Sequence, residues 1–229
     1  MQKLTSANTA MLTAKLKVYN SAITDDTTEK IFDYMAGYDA FEDFGDRKEI
    51  RYTSKPFFEV DDPYNVDFNH GNKITFRPLL LGAIIHSKPL AVYYGDTSNT
   101  RIYAGANDGM LHAFDASGEE VYAYIPSLAF KSITSFAETS SNIFFNASVD
   151  GPISMLHIDK NHDGIINNGE SAYLIFGYRR GAKGYTVIDI SDPSAPEFVQ
   201  NLNTDGGLSF GKAAVFRKCS GTCSYADQL

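Results

Sequence analysis

Residues 159–170 carry oxygen-bearing groups at a spacing that could surround a cation. Counted from Asp159, oxygen side chains fall at positions 1, 3, 5, 9 and 12, and position 7 can offer its backbone carbonyl. This is the ligand pattern of EF-hand loops, which supply the roughly six to eight hard oxygens that calcium prefers. The predicted ligands are Asp159, Asn161, Asp163, Ile165 through its carbonyl, Asn167 directly or through water, and Glu170 as a bidentate carboxylate. The spacing therefore predicts a calcium site.

Two other positions of this segment support the same interpretation. Gly164 stands at position 6, where such a loop turns sharply, and Ile166 stands at position 8, where an apolar side chain can anchor it. The alternative is a solvated, metal-free hairpin loop, because Asn, Asp and Gly also favour turns. The flanking residues 153–158 and 173–176 are predicted to be strands. We therefore expect a loop between strands, with a structural ion rather than a sensor ion.

The Asn-Asp-Gly sequence at residues 107–109 allows two interpretations. Similar phrases occur in the blades of quinone-cofactor propellers, but they also form hairpin turns in which the glycine takes a positive φ. The chain has no Trp to stack on a quinone, so the hairpin turn is favoured. We predict no catalytic residues and no cofactor other than calcium.

The remaining candidates for chemistry are isolated side chains. His86 and His112 do not cluster in the sequence, and we expect them to be packed or hydrogen-bonded rather than metal ligands. Asp61, Asp62 and Asp67 could pair as catalytic carboxylates, but a solvated acidic loop is the favoured interpretation. The His-Glu-x-x-His spacing of zinc proteases is absent from the sequence.

The composition is that of a globular protein. The chain has 229 residues, a net charge of −8 and 43% hydrophobic residues, and the acidic balance argues against a nucleic-acid partner. No apolar run approaches the roughly 18 residues of a membrane-spanning helix, and the longest, residues 79–85, suits a buried strand. The first residues lack the apolar stretch of a secretion signal, so we expect a cytosolic protein or a piece of a longer precursor.

The elements that must position the loop are predicted to be mainly β. Residues 1–78 form a helical and irregular segment, with a helix at 27–37 and an irregular stretch at 40–80. Residues 79–229 contain short apolar runs separated by turn residues, the texture of propeller blades. Blades take about 40–50 residues and a closed ring needs at least four. We therefore predict a partial β-propeller of about three blades with an unclosed ring.

Three segments in this order resemble one known family. Residues 81–89, 102–116 and 177–193 closely resemble the C-terminal propeller of the PilY/PilC family of type IV pilus biogenesis factors and tip adhesins. Tyr178, Arg179 and Arg180 interrupt the glycines of the third segment. The resemblance covers about residues 30–215. It implies a quinoprotein-like propeller without catalytic activity, located outside the cytoplasm at the pilus tip, the outer membrane or the cell surface.

The resemblance also implies a function and partners. The family acts in pilus assembly, retraction control or surface adhesion, so minor pilins and a host or abiotic surface are the expected partners. The alternatives are a quinoprotein-like oxidoreductase and a structural filament subunit. Cys219 and Cys223 lack the further ligands of a zinc site, and their spacing allows a short disulfide or two free thiols. The implied location outside the cytoplasm predicts the disulfide.

Overall fold

A computed structural model describes residues 8–35, 49–52, 73–76, 81–96, 98–137, 147–167 and 169–215. The helices are α1 (Thr9–Leu16), α2 (Asp25–Met35) and α3 (Phe130–Ile133), and short 3-10 turns lie at Ser127–Ala129 and Thr134–Ala137. The strands are β1 (Glu49–Tyr52), β2 (Lys73–Phe76), β3 (Leu90–Val92), β4 (Arg101–Gly105), β5 (Leu111–Phe114), β6 (Glu120–Tyr124), β7 (Ile153–Ile158), β8 (Ser171–Gly177), β9 (Tyr185–Asp189) and β10 (Glu197–Leu202). In these ranges no helix has the length and apolar character needed to span a membrane.

Two four-stranded antiparallel sheets make up most of this structure. Their strand orders are β3-β4-β5-β6 and β10-β9-β8-β7, so each strand pairs with its neighbours in the chain. This sequential meander is the topology of a propeller blade. The predicted mainly β class is confirmed, and the two sheets are consistent with a partial propeller.

Short turns follow β4, β5 and β9, and Asp side chains hold them. Gly109 has a φ of 95°, which a residue with a Cβ rarely adopts, and Met110 N donates to the Asp108 carboxylate at 3.1 Å. Asp115 directly follows β5, and Asp189 is the last residue of β9. Their side chains accept backbone N–H bonds from Ser117 and Ser191, both at 2.8 Å. Since β4 and β5 pair antiparallel and Gly109 has a positive φ, residues 107–109 between them form a hairpin turn.

The two sheets share one hydrophobic core. Its buried members are Val92, Tyr103, Leu111, Ala113, Tyr124, Ala129, Val149, Ile153, Ile166, Ala172, Leu174, Phe176, Tyr178, Ile188 and Ile190. Polar bonds also cross between the sheets: Tyr94 Oη donates to Ile190 O at 2.6 Å and Arg101 Nε donates to Pro193 O at 3.0 Å. The hairpin of β7 and β8 is therefore fixed on a packed scaffold.

The described residues correct two sequence-based expectations about the sheets. They contain two four-stranded sheets rather than the predicted three or so blades. Residues 127–137 form helical turns and residues 159–170 form a long loop, so these segments add no strands. Two blades cannot close a ring, so the described residues are consistent with the predicted partial propeller. The run 79–85 was expected to be a buried strand. Its described part is not a strand, and Leu81, Ile84 and Ile85 are exposed.

The described residues divide into two compact units. One lies within Ala83–Ala129 and Asn146–Leu229, and the other lies within Gln2–Gly82 and Phe130–Phe145. The predicted single boundary after residue 78 stays a prediction. In the second unit, strands β1 and β2 pair antiparallel, with Glu49 opposite Phe76. Part of the stretch 40–80, expected to be irregular, is therefore a strand pair; the alternation in Lys73–Phe76 is the sequence pattern that indicates it.

Helix α2 begins two residues earlier than predicted because Thr24 caps it. Thr27 N donates to Thr24 Oγ1 at 3.1 Å, which satisfies one of the free N–H groups of the first turn. Helices α1 and α2 are linked by a buried bond from Thr13 Oγ1 to Thr28 Oγ1 at 2.8 Å. The apolar side chains of α2 are buried: Ile31, Phe32, Tyr34 and Met35.

Candidate metal site in the β7–β8 hairpin

The predicted loop joins two paired strands. Strands β7 and β8 are antiparallel, and Ile158 lies opposite Ser171, so the register closes directly at the two ends of the loop. The expectation of strands rather than helices on both sides is confirmed. Because both ends of the loop are fixed in one sheet, residues at its first and last positions meet at the same place.

Ile166 anchors the middle of the loop to the core. Its side chain is buried in the shared hydrophobic cluster, and its backbone N–H donates to Tyr93 O at 3.1 Å, just beyond β3. Position 8 therefore has the anchoring role that the pattern predicts. The loop is held at its two ends and at this third point, which reduces the conformational freedom that ion binding would otherwise have to remove.

Asp159 folds the first half of the loop around its carboxylate. It accepts backbone N–H bonds from His162 at 2.6 Å and from Gly164 at 2.8 Å. Gly164 has a φ of 74°, so the glycine predicted for the sharp turn has the left-handed conformation. Burial raises the pKa of Asp159, but these N–H donors outweigh it, and the pKa lies below its ordinary value.

Asp163 gathers two other predicted ligands. Its Oδ2 accepts amide bonds from Asn161 Nδ2 at 2.9 Å and from Asn167 Nδ2 at 3.0 Å. Its Oδ1 accepts the Ile165 backbone N–H at 2.8 Å, and this bond is the main reason that the pKa of Asp163 is lowered. The three side chains at positions 3, 5 and 9 are thus in contact with one another and exposed on one surface.

Glu170 is the buried member of the set. Its Oε1 accepts the Lys160 N–H at 2.7 Å, and its Oε2 accepts the Asn167 N–H and a bond from His157 Nε2, both at 3.1 Å. The backbone donors of Asn167 and Lys160 lower the pKa of Glu170. A charged carboxylate out of water requires such partners. Glu170 is therefore ionised and fixed in position at neutral pH.

The structure brings the predicted ligands together in two neighbouring groups. Asn161, Asp163 and Asn167 form the first, and Asp159 and Glu170 belong to the second. Ile165 lies two residues after Asp163, donates its backbone N–H to Asp163 Oδ1 and is half-buried. The donors are carboxylate, amide and carbonyl oxygens, a hard set with three negative charges that fits a calcium ion. The ligand assignment itself stays a prediction.

His157 is the residue of this site that the sequence analysis missed. It lies on β7, two residues before the loop, and its side chain contacts Glu170 at the other end. His157, Asp159 and Glu170 each offer one ligand atom, and these atoms lie within 4.8 Å of one another. A histidine two residues ahead of an acidic loop is the sequence signal that could have identified it.

The other two histidines singled out from the sequence have structural partners. His112 is buried; its Nε2 lies 3.1 Å from Asp108 Oδ2, and its Nδ1 is hydrogen-bonded to Glu120. Burial lowers the pKa of His112, but the bonds to these carboxylates outweigh it and raise the pKa to about 9. His86 Nδ1 bonds Asp150 Oδ2 at 2.7 Å, while its ring is half-exposed. Both are hydrogen-bonded, as expected, although His86 is not a core residue.

Two groups of sequence-based candidates lie outside the described residues. These are the acidic residues Asp61, Asp62 and Asp67, and the cysteines Cys219 and Cys223. The carboxylate interpretation and the disulfide both stay predictions.

Comparison with known proteins gives a consistent set of relatives. Residues 181–204, which include β9 and β10, match the model of the LVIVD repeat. The type IV pilus biogenesis factor PilY1 of Pseudomonas aeruginosa is 30% identical over 132 residues, which cover 55% of this chain and 11% of the relative. A PilY1 homolog of Xylella fastidiosa is 30% identical over 184 residues, covering 68% of this chain and 14% of the relative. The chain belongs to the PilY1 family.

The PilY1 resemblance expected from residues 81–89, 102–116 and 177–193 is thus confirmed. The crystal structure of the Pseudomonas aeruginosa PilY1 C-terminal domain is 34% identical to this chain, with a TM-score of 0.35. That match covers 52% of this chain and 22% of the solved chain. The chain spans 11% and 14% of the length of the two PilY1 relatives, so it corresponds to a small part of them.

Proposed function

We propose that this chain is a non-enzymatic, calcium-stabilised propeller portion of a type IV pilus biogenesis factor. It acts outside the cytoplasm, at the pilus tip, the outer membrane or the cell surface, in pilus assembly, retraction control or surface adhesion. Its partners are minor pilins and the surface to which the pilus attaches. The family membership supports the pilus role, and the arrangement of Asp159, Asp163 and Glu170 in one loop supports the calcium role.

Calcium fits the loop better than magnesium. Magnesium requires a near-ideal octahedron at about 2.0–2.1 Å and keeps several waters, whereas calcium accepts about six to eight oxygens in a flexible arrangement. The loop offers three carboxylates, two amides and one carbonyl, with Glu170 able to bind through both oxygens. Two of these ligands are neutral amides, so we expect a dissociation constant on the order of 10 to 1,000 μM, which suits an extracellular module.

The ion has a structural task in this proposal. It binds the folded loop and not the unfolded chain, so it stabilises the hairpin by mass action. The hairpin in turn carries Ile166 into the core that both sheets share. Calcium would therefore rigidify the sheet packing itself, and a rigid propeller can present variable loops to a pilus subunit or a surface.

The proposal is tested in the organism that encodes the chain. A strain without the full-length gene is complemented with the parent gene, with Glu170→Ala or with Lys160→Ala, and surface pili and pilus-dependent motility are measured. The Lys160 variant is a matched control, because it retains the backbone N–H that donates to Glu170. It removes an exposed side chain that donates to Gly169 O but is not among the predicted calcium ligands. We expect the parent and the Lys160 variant to restore pili and the Glu170 variant to fail or restore them weakly.

Three results would contradict the proposal. Full piliation with Glu170→Ala at low calcium would remove the structural role of the ion. Dye reduction by the purified chain with an added quinone cofactor and calcium would show an oxidoreductase instead. A deletion strain with normal pili would remove the pilus role altogether.

A further inference from the structure

His157 gives the hairpin a donor that a calcium site does not need. Its imidazole is about nine-tenths buried, with 9% of the side chain exposed, and its Nε2 lies 3.1 Å from Glu170 Oε2. Glu170 is more buried still, with 4% of its side chain exposed. Calcium prefers oxygen ligands, and the six predicted ones do not include this nitrogen. A buried imidazole beside two carboxylates favours a metal other than calcium, because it offers a nitrogen ligand.

One imidazole with two carboxylates is a donor set for zinc and similar d-block ions. Zinc binds His nitrogen at about 2.0–2.1 Å and carboxylate oxygen at about 2.0–2.2 Å, in tetrahedral geometry. Ligand atoms at those distances are about 3.3–3.5 Å apart along each edge of the tetrahedron. The separation of His157 Nε2 and Glu170 Oε2 is already close to this edge. Asp159 offers a third ligand atom within 4.8 Å of both.

The backbone fixes these three residues independently of any ion. His157 stands on β7 opposite Ala172, and the paired strands set its distance from the end of the loop. Glu170 is held by the N–H groups of Lys160 and Asn167, which leaves its carboxylate beside the imidazole. Asp159 is the first residue of the loop after β7, and two backbone N–H groups of the loop hold its carboxylate within 4.8 Å of the ligand atoms of His157 and Glu170.

We propose that His157, Asp159 and Glu170 form a zinc-class metal site that overlaps the calcium loop. The fourth position of the tetrahedron is left to water, as in zinc sites with three protein ligands. Glu170 and Asp159 belong to both ligand sets, so the two ions bind in competition. The competition rests on the proposed calcium site, whereas zinc binding through His157 does not. The hairpin then distinguishes metals by a nitrogen that zinc uses and calcium does not.

The test uses the full 229-residue chain after treatment with a chelator. Zinc chloride and calcium chloride are titrated separately by calorimetry, and cobalt chloride is added to a third sample because tetrahedral Co²⁺ absorbs visible light strongly. We expect one tight zinc equivalent, a tetrahedral cobalt spectrum, and a zinc affinity that falls about tenfold or more when calcium is present in large excess.

Three variants separate the two sites. His157→Gln keeps a side-chain N–H for Glu170 but removes the imidazole, so zinc affinity should fall at least tenfold and calcium affinity should stay within twofold. Asn161→Ala should lower calcium affinity and leave zinc binding unchanged. His162→Asn removes the exposed loop histidine at a left-handed φ of 61°, which Asn tolerates, and should change neither.

The outcomes distinguish this inference from the proposed function. Unchanged zinc binding in His157→Gln, or a parent chain whose Co²⁺ spectrum shows no tetrahedral band, would overturn the zinc site. An equal loss of calcium and zinc affinity in His157→Gln would also overturn it, because His157 would then only position Glu170. A parent chain that binds zinc but not calcium would overturn the calcium proposal and leave the zinc site standing.

Discussion

His112 and Glu170 are both buried ionisable side chains, and each keeps its charge through partners of a different kind. Glu170 is held by backbone N–H groups from its own loop. His112 is held between the carboxylates of Asp108 and Glu120, on the turn before β5 and on the facing strand β6. Because burial disfavours the charged form of His112 and the bonds to Asp108 and Glu120 favour it more strongly, its contribution to stability depends on pH.

The raised pKa of His112 predicts that the folded chain loses stability in mild alkali. Between the ordinary value of 6.5 and the folded value of about 9, the folded state holds a proton that the unfolded state has released. The stabilisation is therefore complete below pH 6.5 and is lost as the pH rises through about 9. It amounts to at most about 3 kcal/mol. Urea unfolding of the parent at pH 6, 7.5 and 9.5 should show a falling midpoint.

His112→Gln is the matched control for this prediction, because it keeps hydrogen-bonding groups but cannot titrate. The variant should be less stable than the parent at pH 6, and its midpoint should change much less between pH 6 and pH 9.5. A parent midpoint that stays constant over this range would show that His112 is not protonated in the folded chain.

At the scale of the element, the β7–β8 hairpin depends on its anchor as much as on its ligands. Ile166→Ala should destabilise the chain by about 2–5 kcal/mol, because it removes a buried side chain from the shared core. It should also weaken calcium binding, since the loop loses its third point of attachment. Urea unfolding and calcium titration measure the two effects.

The adjacent Ile165→Ala is the control for the anchor. Ile165 is half-buried, and the calcium site needs only its backbone carbonyl, so this change should cost clearly less stability and leave calcium affinity nearly unchanged. Equal losses in the two variants would show that the loop has no specific anchor at position 8.

The elements also show how far the sequence could predict this structure. Strands β4, β5, β8 and β9 could be predicted from short apolar runs between turn residues. The anchor at Ile166 could be predicted too, because the loop pattern depends only on the spacing of nearby residues. The prediction of a buried strand at residues 79–85 was wrong, because apolar composition alone does not determine whether a segment is buried or forms a strand. The contact of His157 with Glu170 could not be predicted either, because it depends on the pairing of Ile158 with Ser171.

At the scale of the whole molecule, two blades leave a sheet edge open in the described part of the chain. Among the strands that the structure describes, β10 pairs only with β9, and its residues Phe198 and Val199 are 48% and 44% exposed. An exposed apolar edge strand is a template for pairing with another chain. We therefore expect the isolated chain to self-associate at high concentration.

Analytical ultracentrifugation over a range of concentrations measures this association. Phe198→Ser should weaken it, whereas Gln200→Ser, at another exposed position of the same strand, should not. A parent chain that stays monomeric at all concentrations would show that the β10 edge is not a pairing surface.

The central claim is that the loop at residues 159–170 binds calcium and stabilises the folded chain. Its most direct test is the thermal melting of the parent, Glu170→Ala and Lys160→Ala, each with about 1 mM calcium and with a chelator. With a dissociation constant of about 10 μM, calcium adds about 2.7 kcal/mol to the free energy of unfolding, or about 5–10 °C in Tm for a chain of this length. We expect this shift in the parent and in Lys160→Ala, and little or none in Glu170→Ala. A parent chain that melts at the same temperature with calcium and with chelator would contradict the claim.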